Sequence, residues 1–245
     1  VRTIEAVTVS VNYADYLAET LPALRAAVDA VTVVTSPSDR RTATVARRYG
    51  ARVVQTTAMF DDSRKFSLGA ALGAGLRTLD RDDWVLVIDA DIVLMKCARW
   101  VLHELPLDDA KLYGIDRVHC RGWQRWQDLC TLPRVVRTAA VTAHGLPFAD
   151  RIAFVDQLGY KPCGFFQLWN PLGSGIHDYP IDPGGTAGHS DMMHAARWPR
   201  EARELIPELI GIELQSEDAG DRPVGANWSG RRTAEFSASG GAYRR

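Results

Sequence analysis

Apolar residues along the first ninety positions follow two alternating periods. Ile4 to Val11 is rich in β-branched residues and reads as a strand. Leu17, Leu21, Leu24 and Val28 then recur at helical spacing with charges between them. Val31 to Thr35 is a short buried strand. Ser36-Pro37-Ser38-Asp39 reads as a helix start, with a capping hydroxyl or carboxylate and a proline tolerated in the first turn. Val45 and Tyr49 share a helix face, and Gly50 ends that helix. Arg52 to Gln55 is a third strand, Leu68, Leu72, Leu76 and Leu79 mark a third helix, and Trp84 to Ile88 is a strand apolar on both faces. Short apolar strands separated by amphipathic helices predict an α/β protein with a mostly parallel central sheet flanked by helices.

The second half is less regular. It predicts a short helix over Ala98 to Leu105, a strand over Lys111 to Val118 and another over Gly164 to Trp169. A Pro-, Gly- and Asp-containing loop is expected from Asn170 to Gly188. A capped helix should follow from Ser190 to Trp198, then a strand within Leu205 to Leu214. No repeat and no clean linker divides the chain, so residues 1–245 are expected to form one domain. Residues 1–95 would be its ligand-binding half, 96–236 its second half, and 237–245 a frayed tail.

Composition excludes whole classes. With 46% hydrophobic and 24% charged residues the chain is neither disordered nor fibrous. A net charge of −1 removes the simplest argument for a nucleic-acid binder, though a local basic groove stays open. No apolar run approaches the ~20 residues that cross a bilayer. The start lacks the pattern of a secretory signal. Cys97, Cys120, Cys130 and Cys163 form no CxxC pair and read as reduced thiols. These features together predict a cytoplasmic protein.

The most informative chemistry is Asp89-Ala90-Asp91, directly after the apolar strand. Ligands of open parallel sheets bind beyond the carboxyl ends of strands. Two carboxylates one residue apart in an extended segment face the same side. Their simplest partner there is a hard cation, Mn²⁺ or Mg²⁺, that bridges to phosphate oxygens. Solvated acids in a surface turn are the competing reading. In the third helix, Gly69, Gly73 and Gly75 each cost ~1 kcal/mol relative to alanine. They fit either close packing or a ligand near the backbone. Arg64 and Lys65, just before it, could offset diphosphate charge or be solvated.

The run Phe66 to Leu76 followed by Asp83 to Asp91 resembles the first half of the GT-A glycosyltransferases, especially the family-2-like group. Val7 to Tyr13 resembles their first strand and its nucleotide-contacting turn, and Val33 to Thr42 their second strand and the turn after it. The likeness covers residues 4–95 well and the rest in outline. It implies a single GT-A domain, a nucleoside diphosphate-sugar donor (a UDP-sugar by preference) and a divalent metal between the triplet and the diphosphate. It places Asp91 and Asp89 on the metal, with Asp89 also near the ribose, and Asn12, Tyr13, Ser36 and Asp39 near the nucleoside. Lys65 and Gly69 fall on the donor side. Thr35 and Gly73 depart from the family pattern.

The same resemblance gives roles to later residues. Phe166-Gln167-Leu168-Trp169 matches the aromatic strand that precedes a catalytic acid, and Asp191 is the matching residue. It would act as general base in an inverting displacement on a hydroxyl acceptor. Read without the family, Gly188-His189-Ser190-Asp191 opens a helix in which Ser190 is the cap and Asp191 only complements the helix dipole. Glu213 occupies the place of a third metal ligand, with His189 and His194 as weaker alternatives. Arg231, in Asn227 to Arg231, would close on a phosphate. For the acceptor, Arg121, Arg125, Arg134 and Arg137 interleave with Trp123 and Trp126. That pattern suits sugar rings or a hydroxymethylated base in DNA as well as a core element, so a glycan, a lipid, a small molecule and modified DNA all stay open. A sugar-1-phosphate nucleotidyltransferase would need a Gly-rich basic loop after the first strand, which Ser10 to Asp15 does not supply. A non-catalytic nucleotide or glycan binder is the other alternative.

Overall fold

The computed structural model describes residues 2–60, 66–80, 83–133, 151–152, 155–156, 159–182 and 187–216, with the backbone alone at 151–152, 155–156 and 187–188. Lys65, Arg64, Arg134, Arg137, Arg231 and the predicted tail lie outside the described residues.

Eleven strands and seven α-helices are described. The strands are β1 (Ile4–Val9), β2 (Ala30–Thr35), β3 (Arg52–Gln55), β4 (Trp84–Ile88), β5 (Ile92–Leu94), β6 (Leu112–Arg121), β7 (Arg151–Ile152), β8 (Val155–Asp156), β9 (Gly159–Tyr160), β10 (Phe166–Trp169) and β11 (Arg203–Gln215). The helices are α1 (Ala14–Ala27), α2 (Arg40–Arg48), α3 (Leu68–Leu76), α4 (Ala98–Glu104), α5 (Trp123–Thr131), α6 (Pro171–Ser174) and α7 (Ala187–Ala195).

One sheet runs in the order β3-β2-β1-β4-β10-β6-β11-β5, with β7 added beside β6. The strands of the first half are parallel to one another. The second half enters antiparallel, β10 pairing with both β4 and β6. β11 runs parallel to β6 and antiparallel to β5. Period-two burial explains the layers. Ile4, Ala6, Leu86 and Ile88 face a core that includes Leu17, Leu21 and Leu24 of α1. Val7, Val85 and Val87 face the opposite core with Leu72 and Leu76 of α3 and Trp169. β11 carries an irregularity: Leu205 pairs with Gly114 but Ile210 pairs with Asp116, so five steps along one strand match two along the other.

Three local readings change. α2 begins at Arg40 with Asp39 as its cap, accepting from the Thr42 N–H at 3.0 Å, so Pro37 precedes the helix rather than sitting in its first turn. The expected loop after Asn170 contains α6. Asn170 caps it through the Leu172 and Gly173 N–H groups, Pro171 opens it, and Gly175 ends it at a φ of 70°. Those loop-forming residue types are here the punctuation of a one-turn helix. α7 starts at Ala187, so Ser190 is not its cap. Ser190 Oγ instead accepts from the Asp182 N–H at 3.3 Å.

Candidate active site

Asp89 and Asp91 emerge at the carboxyl end of β4, in a turn closed by the Ile92 N–H on the Asp89 carbonyl. The Asp89 N–H is bound by the Phe165 carbonyl, and the Asp91 carbonyl accepts from the Leu214 N–H at 2.9 Å. Thr20 of α1 donates to the carbonyl of the intervening Ala90 at 2.8 Å. The backbone of the turn is thus held from three sides.

The fold brings Glu213 to this pair through register. Glu213 lies opposite Ile92 on β5 and opposite His119 on β6. Burial raises the Asp89 and Asp91 carboxyls above the usual range, and the negative charge of Glu213 raises both further. Arg117 opposes these shifts. Glu213 behaves differently: burial alone would raise it, but His119, Arg117 and Gln215 more than offset that and hold it ionised. Arg117 Nη1 stands 2.8 Å and His119 Nε2 3.1 Å from Glu213 Oε2, while Gln215 Nε2 donates to Oε1 at 3.0 Å. Arg117 also lies over the Phe165 ring at 4.6 Å.

The structure brings Glu213, expected as a third metal ligand, close enough to Asp89 and Asp91 for its charge to act on both. Among the described residues no three His, Cys, Asp or Glu side chains form a ready-made metal cage. Asp89 and Asp91 are carboxylates that could hold a divalent cation together, their carboxyls raised first by burial and then by the charge of Glu213. His189 is exposed, 3.7 Å from Asp182, and His194 is fully buried among Trp169, Tyr179 and Trp198.

Asp191 lies on the fifth residue of α7 and faces the same region. Burial and the charge of Asp89 push its carboxyl up to about 8, against hydrogen bonds from the Tyr179 hydroxyl and the Gly164 N–H. A Cβ on Gly164 would come within 2.0 Å of the Asp191 carboxyl carbon, so the carboxyl packs flat on that peptide. Tyr179 Oη is 2.8 Å from Asp191 Oδ1 and 2.7 Å from Gln167 Oε1.

On the donor side, Asn12 takes a left-handed φ of 61°, tolerated by asparagine, and Tyr13 stacks on Tyr16 at 5.2 Å. Asp39 does not present its carboxylate outward. It accepts from the Asn12 N–H at 2.6 Å, the Thr42 hydroxyl at 2.6 Å and the Thr42 N–H, fixing the turn after β1 to the start of α2. Ser36 is buried, its hydroxyl 2.9 Å from that of Ser38. Gly69 is explained by packing: a Cβ there would meet the Pro180 carbonyl oxygen at 2.0 Å. Gly75 packs likewise on Val7 and Val34. In α5, Trp126 is buried and donates to Glu19 at 2.8 Å, leaving Trp123 as the exposed aromatic.

Arg117, His119 and Tyr179 were not singled out in the sequence, and Gln167 was named only as part of the strand Phe166 to Trp169. The expected strand, Lys111 to Val118, stopped one residue short of His119; the observed strand runs on to Arg121 and puts Arg117 and His119 at i and i+2 on one face. Tyr179, inside an expected loop, had no readable signal.

No protein-family model matches the chain, and no curated protein sequence matches it. Solved structures do. The mannosyltransferase PcManGT from Pyrobaculum calidifontis, in complex with GDP-Man and Mn²⁺, is 17% identical over 86% of this chain and 56% of its own, with a TM-score of 0.50. Glucosyl-3-phosphoglycerate synthase from Mycobacterium tuberculosis, in complex with phosphoglyceric acid, is 19% identical over 87% of this chain and 70% of its own, with a TM-score of 0.47. The chain thus spans little more than half the length of the mannosyltransferase. With the sheet order and the acidic turn after β4 in place, the likeness to that enzyme shows an α/β fold of the GT-A type, with a Rossmann-like first half.

Proposed function

We propose that the protein is a metal-dependent glycosyltransferase that moves a sugar from a nucleoside diphosphate-sugar to a hydroxyl acceptor with inversion. The observation that supports this most is the electrostatic coupling of Asp191 to Asp89, which sets a candidate base beside a candidate metal turn on this fold. A divalent cation held by Asp89 and Asp91 would neutralise the departing diphosphate. The chain's own residues supply the rest. Arg117 balances Glu213 and the carboxylate turn, and Asp191 takes the acceptor's proton. Asp89's charge is one of the two causes that keep Asp191 protonated near neutrality. Neutralising Asp89 therefore lowers the Asp191 carboxyl toward ionisation, and the base becomes competent in the loaded site rather than the empty one. The acceptor is a hydroxyl compound reached from the side of Asp191. Arg121, Arg125 and Trp123 remain candidates for its outer contacts, whereas Trp126 belongs to the core.

The test is a panel of UDP-, GDP-, ADP- and dTDP-sugars with Mn²⁺, read by release of the nucleoside diphosphate and by thermal stabilisation. Asp91→Asn should weaken donor and Mn²⁺ binding together. Asp191→Asn should keep donor binding and lose turnover by a factor of about 10²–10⁴. A folded sample that no donor stabilises would overturn the reading.

A further inference from the structure

The outer face of α2 is cationic, and nothing described in the fold neutralises it. Thr42, Ala43 and Ala46 are the buried residues of this helix, so its opposite face presents Arg40, Arg41, Thr44, Arg47 and Arg48, all exposed. No Asp or Glu occurs from Arg40 to Gln55. Asp39, just before the helix, is buried and holds Asn12 and Thr42. No described carboxylate pairs with any of the four arginines, and Arg48 reaches only the Tyr49 ring, at 5.8 Å. The helix dipole accounts for half of them. Arg47 and Arg48 complement its negative end, whereas Arg40 and Arg41 sit in the first turn, where a cation is unfavourable. That first-turn pair has no use inside the fold.

The surface around α2 says which anion it fits. α2, α1 and α4 lie side by side over one core, with α1 in the middle. The most exposed residues of α1 are Pro22 and Ala26. On α4, Trp100 stands opposite the buried Ala98, Val101 and Leu102 and is 61% exposed. The acids of this layer are engaged or at its margin: Asp29 pairs with Arg99 at 3.1 Å, Glu19 holds Trp126, and Glu104 ends α4. Arginines, small apolar residues and a tryptophan on one face match the headgroup level of a bilayer. Between α1 and α2 the surface dips into a hollow of about 430 Å³, where Arg40, Arg41 and Thr44 face Ala14, Asp15 and Ala18. A carboxylate beside the arginine pair suits a headgroup with hydroxyl or ammonium donors next to its phosphate. It would repel a continuous phosphodiester strand. α2 also offers no Asn, Gln or aromatic side chain to read or stack on bases.

We propose that the face formed by α2, α1 and α4 docks on a bilayer containing anionic phospholipid. The arginines of α2 supply the charge contacts, and Trp100 is the interfacial anchor. The attraction is local, since the whole chain carries a net charge of only −1.

The experiment co-sediments the full chain with vesicles of phosphatidylcholine alone, or of phosphatidylcholine with one-third phosphatidylglycerol. It uses no donor or acceptor, so its outcome is independent of the glycosyltransferase reading. The chain should bind the anionic vesicles alone. It should leave them as salt rises from about 0.1 M to about 1 M and the screening length falls from about 10 Å to about 3 Å. Arg40→Gln with Arg41→Gln, and separately Arg47→Gln with Arg48→Gln, should each weaken partition about 30-fold, at about fivefold per arginine. The first pair should raise the melting temperature slightly and the second lower it. Arginines kept only for the helix would move melting without moving partition, and that result would overturn the proposal. Absent binding, or equal binding to both kinds of vesicle, would overturn it too. So would tighter binding of a DNA duplex or single-stranded RNA through the same arginines, which would assign the face to nucleic acid.

Discussion

At the residue scale, His194 shows how burial decides chemistry. Both ring nitrogens are buried without a hydrogen-bond partner among the described residues, and the ring lies between Tyr179, Trp169 and Trp198. Burial first, and then Arg197, push its pKa down to about 3. The unfolded chain takes up this proton near pH 6.5 while the native chain refuses it. Native stability is therefore lost as pH falls from about 6.5 toward about 3, by about 2 kcal/mol at pH 5 from this group. His194→Leu should flatten the fall in melting temperature between pH 7 and pH 4, read by calorimetry at stepped pH. From the sequence His194 stood among metal alternatives as well as core ones, because a histidine's neighbours in space are not its neighbours in the chain. Asp89 and Asp91 were legible, since their place after an apolar strand fixes which end of the sheet they occupy.

At the element scale, α3 was legible as a helix, but the reason for its glycines was not. Gly69 lies against the Pro180 carbonyl, from a segment over a hundred residues away. Gly73 by contrast would give a Cβ ordinary contact with Arg77 alone, at 3.6 Å. Gly69→Ala should displace the segment carrying Tyr179 and cost about 1–3 kcal/mol. Gly73→Ala should gain about 0.5–1 kcal/mol from helix propensity. Urea unfolding of the two variants checks both signs. The capped turn of α6 and the earlier start of α7 were hidden for a related reason. Asn, Pro and Gly mark helix ends and loops alike, and only the hydrogen bonds of Asn170 and Ser190 tell which.

At the scale of the whole molecule, the sequence showed the alternation of the first half clearly and the second half dimly. β4 is an interior parallel strand with a strong apolar signal, whereas β10 is four residues long and joins the sheet antiparallel. That insertion is what carries the second half to the first, setting Asp191 against Asp89. A net charge near zero hid the result: carboxylates crowd one end of the sheet, and Arg117 and His119 answer only Glu213 directly. With two protein carboxylates open to a cation, Mn²⁺ alone should stabilise the chain little. Mn²⁺ with a nucleoside diphosphate at a hundred times its Kd should add about 2.7 kcal/mol. Melting curves with each alone and both together measure this, and Asp89→Asn should abolish the joint effect.

The irregularity in β11 gives chain length itself a chemical meaning. Side chains alternate faces with a period of two, so the count of residues between Leu205 and Ile210 sets the parity of everything beyond it. An odd change in that count would turn Glu213 away from Arg117 and His119 and put an aliphatic neighbour, Ile212 or Leu214, in its place. An even change would preserve the facing. The anchoring of the carboxylate turn is thus encoded partly as arithmetic in a stretch, Ile206 to Leu209, that touches none of its charges.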